Sequence, residues 1–244
     1  MLEKINTRAP ESLDKEETKK KTKELLKEIS DLQNLLYAEG KHSVLVIIQG
    51  MDGSGKDGLI KDVFTSINPL GINTQSFKAP TEEELKHDFL WRIHRHVPEK
   101  GKIMLFNRSH YEDVLIARVH EWIDDEVANR RMEAINAFEK LLQEHNGTVI
   151  LKLYMHISRK EQKEQLKERM TNPEKMWKYN KNDFIEAEKW DRYMECYEDV
   201  FEKCNTVPWH IIPTDQNWYK AYLVAQLLRD TLKKLDMQYP SMKN

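Results

Sequence analysis

The chain has 244 residues, a formal net charge of −2 and two cysteines, Cys196 and Cys204. The nearly balanced charge disfavours a globally basic nucleic-acid binder but leaves room for a local basic channel. Two cysteines are too few for a disulfide framework or a zinc site. No apolar run approaches the roughly 20 residues that span a bilayer, and the charged N-terminus lacks the apolar core of a signal peptide. We therefore expect a cytoplasmic protein that binds neither membrane nor nucleic acid, with a length typical of one α/β domain.

The first 40 residues predict an N-terminal arm followed by an amphipathic helix. Residues 1–14 are polar and contain Pro10. From Lys15 to Tyr37, leucine and isoleucine recur at helical spacing on one face, while the other face carries lysine and glutamate. We expect this helix to pack on the domain or on a partner subunit.

Residues 50–58, Gly-Met-Asp-Gly-Ser-Gly-Lys-Asp-Gly, form the most informative stretch of the chain. They follow the apolar run 44–48 and precede a predicted helix over 58–67, which is the strand, loop and helix context of a phosphate-binding Walker A loop. Glycines let backbone N–H groups converge on phosphate, and the helix dipole and the lysine add positive charge. A turn that binds nothing is the alternative. The predicted phosphate-binding residues of the loop are Gly53, Ser54, Gly55, Lys56, Asp57 and Gly58.

Two carboxylates distinguish this loop from the usual Walker A pattern. Asp57 stands where serine or threonine normally ligates magnesium, and Asp52 lies inside the loop. Mg²⁺ favours carboxylate and phosphate oxygens. The two acids therefore predict that carboxylates, rather than the usual hydroxyl, ligate the metal in this loop. Alternatively, Asp57 is an acid that caps the helix N-terminus, and Asp52 is a loop residue without a role.

Further candidates follow the next two predicted strands. Lys78 follows a strand over about 73–77, where ligands gather in open α/β sheets, although it could be a surface lysine. Thr81 and Glu84 form a capping-box pattern for a helix that carries Arg92.

The strand over 102–106 ends at Asn107 and Arg108. Asn107 occupies the position of a Walker B acid, and Arg108 can clamp phosphate oxygens with two donors. A structural turn is the alternative for both residues. Arg118 lies two helical turns after Tyr111 and could point back to the same site.

Residues 158–192 predict a helical lid within the domain. The segment is dense in charges of both signs, and Arg159, Lys163 and Lys167 recur every four residues as one cationic row. Arg169 follows, then Asn172 and Pro173 interrupt the helix. A lid of this kind closes over phosphates and excludes water; the alternative is an exposed helical hairpin.

Two further strands are predicted over 148–155 and 209–213. With the three strands above they predict one α/β domain over 1–244, with five strands and an appended lid.

Several blocks resemble the polyphosphate kinase 2 family. They are LYAEGKHSVLVIIQGMDGSGKDG, INPLGINTQSFKAPTEEELKHDFLWR, FNRSHYEDVLIARVH, NPEKMWKY and the closing YEDV, PWHIIP and NW, and they span roughly residues 35–218. The resemblance implies a three-layer, thymidylate-kinase-like P-loop kinase fold with a parallel sheet, and Mg²⁺ as cofactor. The asparagine in FNRSHYEDV resembles the branch that acts on nucleoside monophosphates as well as diphosphates.

The resemblance also implies roles for individual residues. Asp52 resembles the metal-linked aspartate, Lys56 the Walker lysine, and Arg108 a catalytic arginine of the polyphosphate channel. Phosphate contacts are further implied for Lys78, Arg92, Asn107, Arg118 and Arg169. Gln165, Ala187 and Asn217 depart from the family, which often has basic residues at these positions.

The expected activity is direct in-line phosphoryl transfer from inorganic polyphosphate to AMP or ADP, with ATP as a product or reverse substrate and guanine nucleotides as further acceptors. Lys56, arginines and Mg²⁺ would neutralise two anions that otherwise repel. Two alternatives are an ATP-dependent nucleoside monophosphate kinase and a non-catalytic nucleotide-binding or assembly protein. The resemblance implies a homo-oligomer, a dimer or a tetramer.

Overall fold

A parallel sheet of five strands forms the centre of the computed structural model, which describes residues 1–242. The final two residues of the predicted domain over 1–244 lie outside the described residues. The strands occur in the spatial order β2-β3-β1-β4-β5. They are β1 Ser43–Gln49, β2 Ile72–Ser76, β3 Ile103–Asn107, β4 Thr148–His156 and β5 Trp209–Pro213. The register pairs Ile48 of β1 with Asn107 of β3, so the loops that follow these two strands are neighbours.

Nine α-helices cover both faces of the sheet within residues 1–242. They are α1 Lys15–Glu39, α2 Lys56–Phe64, α3 Trp91–His94, α4 Glu112–Val119, α5 Asp125–Asn146, α6 Arg159–Thr171, α7 Lys181–Glu188, α8 Trp190–Lys203 and α9 Asn217–Lys233. Short 3₁₀ turns lie at Leu2–Lys4, Pro69–Gly71, Glu84–Lys86 and Met176–Lys178. The predicted α/β architecture with five parallel strands is confirmed.

The alternation of side chains along β1 explains the three layers. Leu45 and Ile47 contribute to a core shared with α4, α5 and α8, whereas Val44, Val46 and Ile48 contribute to a core shared with α1, α2 and α9. All seven residues of β1 are buried. A central strand covered on both faces requires such a continuous apolar run, and this strand fixes where the loop after it emerges.

The N-terminal helix α1 packs against α9 of the same chain. Its apolar face contributes Ile29 and Leu36 to the core that also contains Val224 and Leu228 of α9. Of the two packing partners predicted for this helix, the structure shows the chain's own domain. No helix among residues 1–242 has the length and apolar character to cross a membrane.

Two predicted helices differ from those observed. The helix expected over 58–67 is α2, which begins earlier, at Lys56, because the left-handed Gly55 ends the loop there, and which ends at Phe64. The capping box at Thr81 and Glu84 forms reciprocally, with nitrogen-to-oxygen distances of 2.8 and 3.2 Å. It begins only the single turn Glu84–Lys86, because His87 is extended. Arg92 therefore lies on a separate short helix, α3.

Candidate functional site

The loop between β1 and α2 opens onto a cavity at the carboxyl ends of the strands. At Gly55 the backbone has φ +82°, and a Cβ there would lie 2.4 Å from the Nζ of Lys220. The left-handed backbone favours glycine at this position, and a larger residue would also have to displace the end of the Lys220 side chain. No side chain caps the N-terminus of α2, so its first N–H groups and the positive end of its dipole are available to an anion.

The cavity has a volume of about 800 Å³ and is bordered by five parts of the chain. These parts are the loop with the start of α2, the ends of β2 and β3, the predicted lid, and the start of α9. The lining residues are Asp52, Gly53, Gly55, Lys56, Asp57, Gly58, Asp62, Ser76, Phe77, Lys78, Asn107, Arg108, Gln165, Arg169, Lys175, Trp177, Lys178, Asn217 and Lys220.

The cavity wall is strongly cationic although the whole chain is slightly acidic. Seven lysine and arginine side chains line it, against three aspartates, whereas the chain as a whole has a formal net charge of −2. A cleft lined by one sign of charge concentrates ligands of the opposite sign. The cavity is therefore suited to a polyanion with several negative charges.

Asp52, Lys56 and Arg108 lie together at the inner end of the cavity. Arg108 donates from Nη2 to Asp52 Oδ1, and Lys56 Nζ lies 4.0 Å from the same oxygen. Lys56 Nζ also donates to the carbonyl oxygens of Gly50 at 2.7 Å and Met51 at 3.1 Å. The predicted catalytic residues thus share one wall.

The charges of these three groups shift their pKa values. Burial opposes ionisation of Asp52, but the positive charges of Lys56 and Arg108 outweigh it and hold the pKa of the carboxyl below its ordinary value. Burial lowers the pKa of Lys56, against the opposing effect of Asp52. For Glu112, burial raises the pKa despite nearby Arg108 and Lys56. Glu112 is a neighbour of this cluster that the sequence did not single out.

Asp57 connects three elements through its carboxylate. Oδ1 accepts from Asn107 Nδ2 at 2.9 Å, and Oδ2 accepts from Lys178 Nζ at 2.6 Å. Burial would raise the pKa of Asp57, but these two donors outweigh it, so the pKa lies below its ordinary value. Asp57 thus joins the phosphate loop to the end of β3 and to the predicted lid.

The predicted lid presents one face to the cavity, but not the face with the cationic row. Arg169 and Gln165 of α6 line the wall, and Arg169 Nη1 donates to Asp183 Oδ2. Gln162, on the same face of α6, donates to the carbonyl oxygen of Asp52 at 3.0 Å.

The predicted row of Arg159, Lys163 and Lys167 is not part of the wall described within residues 1–242. Arg159 lies 3.6 Å from Asp191, and Lys163 lies 3.9 Å from Glu188. The packing of α6 turns residues 162, 165 and 169 inward, and Arg159 and Lys163 point to α8 and α7 instead.

Two predicted phosphate contacts, Arg92 and Arg118, lie off the wall described within residues 1–242. Arg92 is 5% exposed; it donates to the carbonyl oxygen of Lys78 at 2.8 Å and to Asp113 at 3.0 Å. It therefore braces the segment that carries Lys78. Arg118 is engaged by Asp125 at 2.8 Å and Asp199 at 2.9 Å. Arg118 was predicted to point back to the site because it lies two helical turns after Tyr111. The C-terminal end of α4 instead faces α5 and α8, and Arg118 pairs with their carboxylates.

The remaining predicted residues divide between the wall and the interior. Lys78 lines the cavity. Ser54 is 1% exposed and lies behind the loop, with its Oγ unpaired among the described residues. Of the positions that depart from the family pattern, Gln165 and Asn217 line the wall, whereas Ala187 is buried.

Lys220 is the lining residue that sequence reasoning missed most clearly. It is 1% exposed; its Nζ donates to Asn217 Oδ1 at 2.7 Å and to the carbonyl oxygen of Gly55 at 3.2 Å. Burial lowers the pKa of Lys220 to about 8. The available signal was the three-residue spacing from Asn217, which puts both side chains on one face of α9 directly after β5.

Within the part of the chain that the structure describes, the cavity has no metal site built from protein ligands alone. Among residues 1–242 no group of three or more histidine, cysteine, aspartate or glutamate side chains is arranged to hold a metal ion. Mg²⁺ commonly binds through one or two carboxylates and substrate phosphates. Asp52 and Asp57, on the wall, fit that type of site.

Comparisons with known proteins agree on one family. A family model described as "Polyphosphate kinase 2 (PPK2)" matches residues 12–241. The AMP/ADP-polyphosphate phosphotransferase of Meiothermus ruber is 48% identical over 218 residues, which cover 88% of this chain and 81% of that protein. The ADP-polyphosphate phosphotransferase of Rhodopseudomonas palustris is 42% identical over 226 residues, which cover 87% and 78%.

A solved structure shares the whole fold. The crystal structure of polyphosphate kinase 2 from Arthrobacter aurescens TC1 superposes with a TM-score of 0.96 at 40% sequence identity. The match covers 100% of this chain and 89% of that one.

Proposed function

This chain belongs to the polyphosphate kinase 2 family, and on that premise we propose that it transfers a phosphoryl group from inorganic polyphosphate to AMP and ADP. Named relatives are phosphotransferases that use polyphosphate with AMP or ADP. The observation in this chain that carries the proposal is the cationic cavity at the phosphate loop, with seven basic side chains on its wall. Polyphosphate carries negative charge on every phosphate and requires such a wall.

Three cations of the cavity wall are paired with carboxylates, from which we expect phosphate oxygens to take them over. Arg108 is paired with Asp52, Lys178 with Asp57, and Arg169 with Asp183. When a substrate enters, these cations would turn from carboxylate to phosphate oxygens, so each cation keeps a charged hydrogen-bond partner. Lys56 would move from the loop carbonyls to the transferred phosphoryl group.

The reaction needs positioning and charge neutralisation rather than a covalent intermediate. Lys56 and Arg108 would hold the oxygens of the transferred phosphoryl group, while Arg169 and Lys178 close over them from the lid. Mg²⁺, held by Asp52 and assisted by Asp57, would supply further neutralisation of the phosphate oxygens. The lid over residues 158–192 would exclude water as part of the single domain.

The test is a substrate grid with purified protein. AMP, ADP, GMP and GDP are each incubated with polyphosphate and Mg²⁺, AMP is also incubated with ATP, and products are separated by chromatography. We expect transfer from polyphosphate to AMP and ADP. Transfer to AMP from ATP but not from polyphosphate would identify an ordinary monophosphate kinase. No transfer from either donor would identify a non-catalytic binding protein.

Assembly and location remain predictions. A dimer or tetramer is expected from the family, and light scattering with multi-angle detection would distinguish them. A cytoplasmic location is expected from composition, and cell fractionation would test it.

A further inference from the structure

The described cavity wall contains two aromatic residues, and only one has an open face. Phe77 is 5% exposed, and its ring meets Phe106 and His96 edge-on at centroid distances of 4.9 and 5.9 Å. Trp177 is 78% exposed and borders the same cavity. An indole at the border of a cavity offers a flat apolar face on which a planar ligand group can stack. The transfer chemistry proposed above makes no use of it.

Trp177 is held close to the phosphate loop by local contacts. Its indole Nε1 donates to the carbonyl oxygen of Glu174 at 2.9 Å. The Nζ of Lys178 lies 5.0 Å from the ring centroid and 2.6 Å from Asp57 Oδ2. One side chain therefore contacts both the aromatic ring and the loop that binds phosphate. A ligand in this cavity meets a cationic region and an aromatic plane together.

The three amide side chains of the described wall each make a hydrogen bond to a neighbouring side chain. Asn107 donates to Asp57, and Gln165 donates to Glu161, both at 2.9 Å. Asn217 accepts from Lys220 at 2.7 Å. Amides are the side chains that read base edges by paired hydrogen bonds. Within the described residues, each of these amides has one atom bonded to a charged neighbour and the other atom free, so a base in this cavity meets a stacking surface together with single edge contacts.

We infer that Trp177 is the platform on which the base of the nucleotide stacks. Stacking tolerates a change of base because every base has a π-face. Polyphosphate has no planar group and gains nothing from the indole. This inference rests on the proposed function, since it assigns the base end of the nucleotide that the cavity would bind.

The experiment measures binding without turnover, by isothermal titration calorimetry in the absence of an acceptor. ATP, GTP and inorganic triphosphate are titrated into the wild-type protein and the W177A, W177F and W122A variants. Trp122 is the matched control because it is 67% exposed and lies off the described wall, stacked on His120. Substitution of an exposed side chain leaves the core intact, and circular dichroism verifies this.

We expect W177A to bind ATP and GTP about tenfold more weakly and inorganic triphosphate unchanged, because only the nucleotides lose a stacking partner. W177F should recover part of the loss, and W122A should match the wild type. Equal weakening of triphosphate binding, or unchanged nucleotide binding in W177A, would each overturn the inference. Because no turnover is measured, failure of the phosphoryl-transfer proposal would appear separately in the substrate grid.

Discussion

Arg108 shows how one residue is fixed by both backbone and charge. Its φ of +63° is left-handed, a conformation that costs a non-glycine residue roughly 1–2 kcal/mol. Its N–H donates to the carbonyl oxygen of Ile48 at 3.0 Å, and its guanidinium pairs with Asp52. The strained turn directs the side chain from the end of β3 toward the neighbouring loop. Such strain is typical of functional positions that the surrounding structure holds in place.

Lys220 offers a pH-dependent test at the residue scale. Its ammonium group has neutral oxygen partners, and burial lowers its pKa to about 8. Only the protonated form attracts phosphate, so its contribution to polyphosphate binding is present below about pH 8 and is lost above it. A charge-assisted hydrogen bond is worth about 1.5–3 kcal/mol, so K220M should raise the KM for polyphosphate about tenfold or more at neutral pH.

The pH profile separates this role from a purely structural one. The wild-type KM should rise above about pH 8, whereas the KM of K220M should lack that step. The stability of the fold gives an independent test. Between about pH 8 and 10.5, Lys220 is more protonated in the unfolded state than in the folded state. The free energy of unfolding of the wild type should therefore rise with pH in this range, relative to that of K220M. Parallel KM profiles for the two proteins would contradict the role of Lys220.

At the element scale, a small number of polar contacts join the predicted lid to α2 and to the loop between β1 and α2. Lys178 reaches Asp57 of α2, and Gln162 of α6 reaches the loop carbonyl of Asp52. Met176, Trp177 and Tyr179 are exposed, so little apolar burial holds this turn in place. Segments with few buried apolar contacts open at low free energy. We therefore expect the predicted lid to depend on polar contacts such as these, which phosphates can replace.

Removal of the Asp57 carboxylate should loosen the lid turn in the free protein. In D57N we expect amide hydrogen exchange over residues 172–180 to increase, severalfold at most, because a partly exposed ion pair contributes about 0.2–1 kcal/mol. K178M should give a similar increase, and the double variant should give no more than either single variant. D62N is the control, since Asp62 lies on the same helix and also lines the cavity. Unchanged exchange in both D57N and K178M would show that this contact does not hold the lid.

At the scale of the whole molecule, the sequence predicted the elements better than the directions of their side chains. The apolar run of β1 and the glycine spacing after it depend on local chemistry, so the strand and the loop could be predicted. Arg92 and Arg118 were expected to contact phosphate, but the structure turns them to Asp113, Asp125 and Asp199. The face that a helix presents depends on packing against distant elements, which residue spacing does not determine.

The order of the strands is the second feature that residue spacing could not supply. β3 lies between β2 and β1 in the sheet, which places the end of β3 beside the loop that follows β1, and the chain then passes β1 to reach β4. Lys220 reaches the same cavity only because α9 begins at the end of β5 and packs beside α2. The excess of positive charge on the cavity wall arises because folding brings these basic residues together. The net charge of the whole chain is close to zero.

The most direct measurement of the central claim follows labelled phosphoryl groups from polyphosphate into AMP and ADP in the wild type, K56A and K61A. Lys56 lies on the cavity wall, whereas Lys61, five residues later on the same helix, is exposed and lies off the described wall. The proposed mechanism predicts transfer by the wild type and K61A. In K56A the transfer rate should fall at least about a hundredfold, the scale seen when a transition-state charge partner is removed, while the circular dichroism spectrum stays unchanged. Near-normal transfer by folded K56A would contradict it.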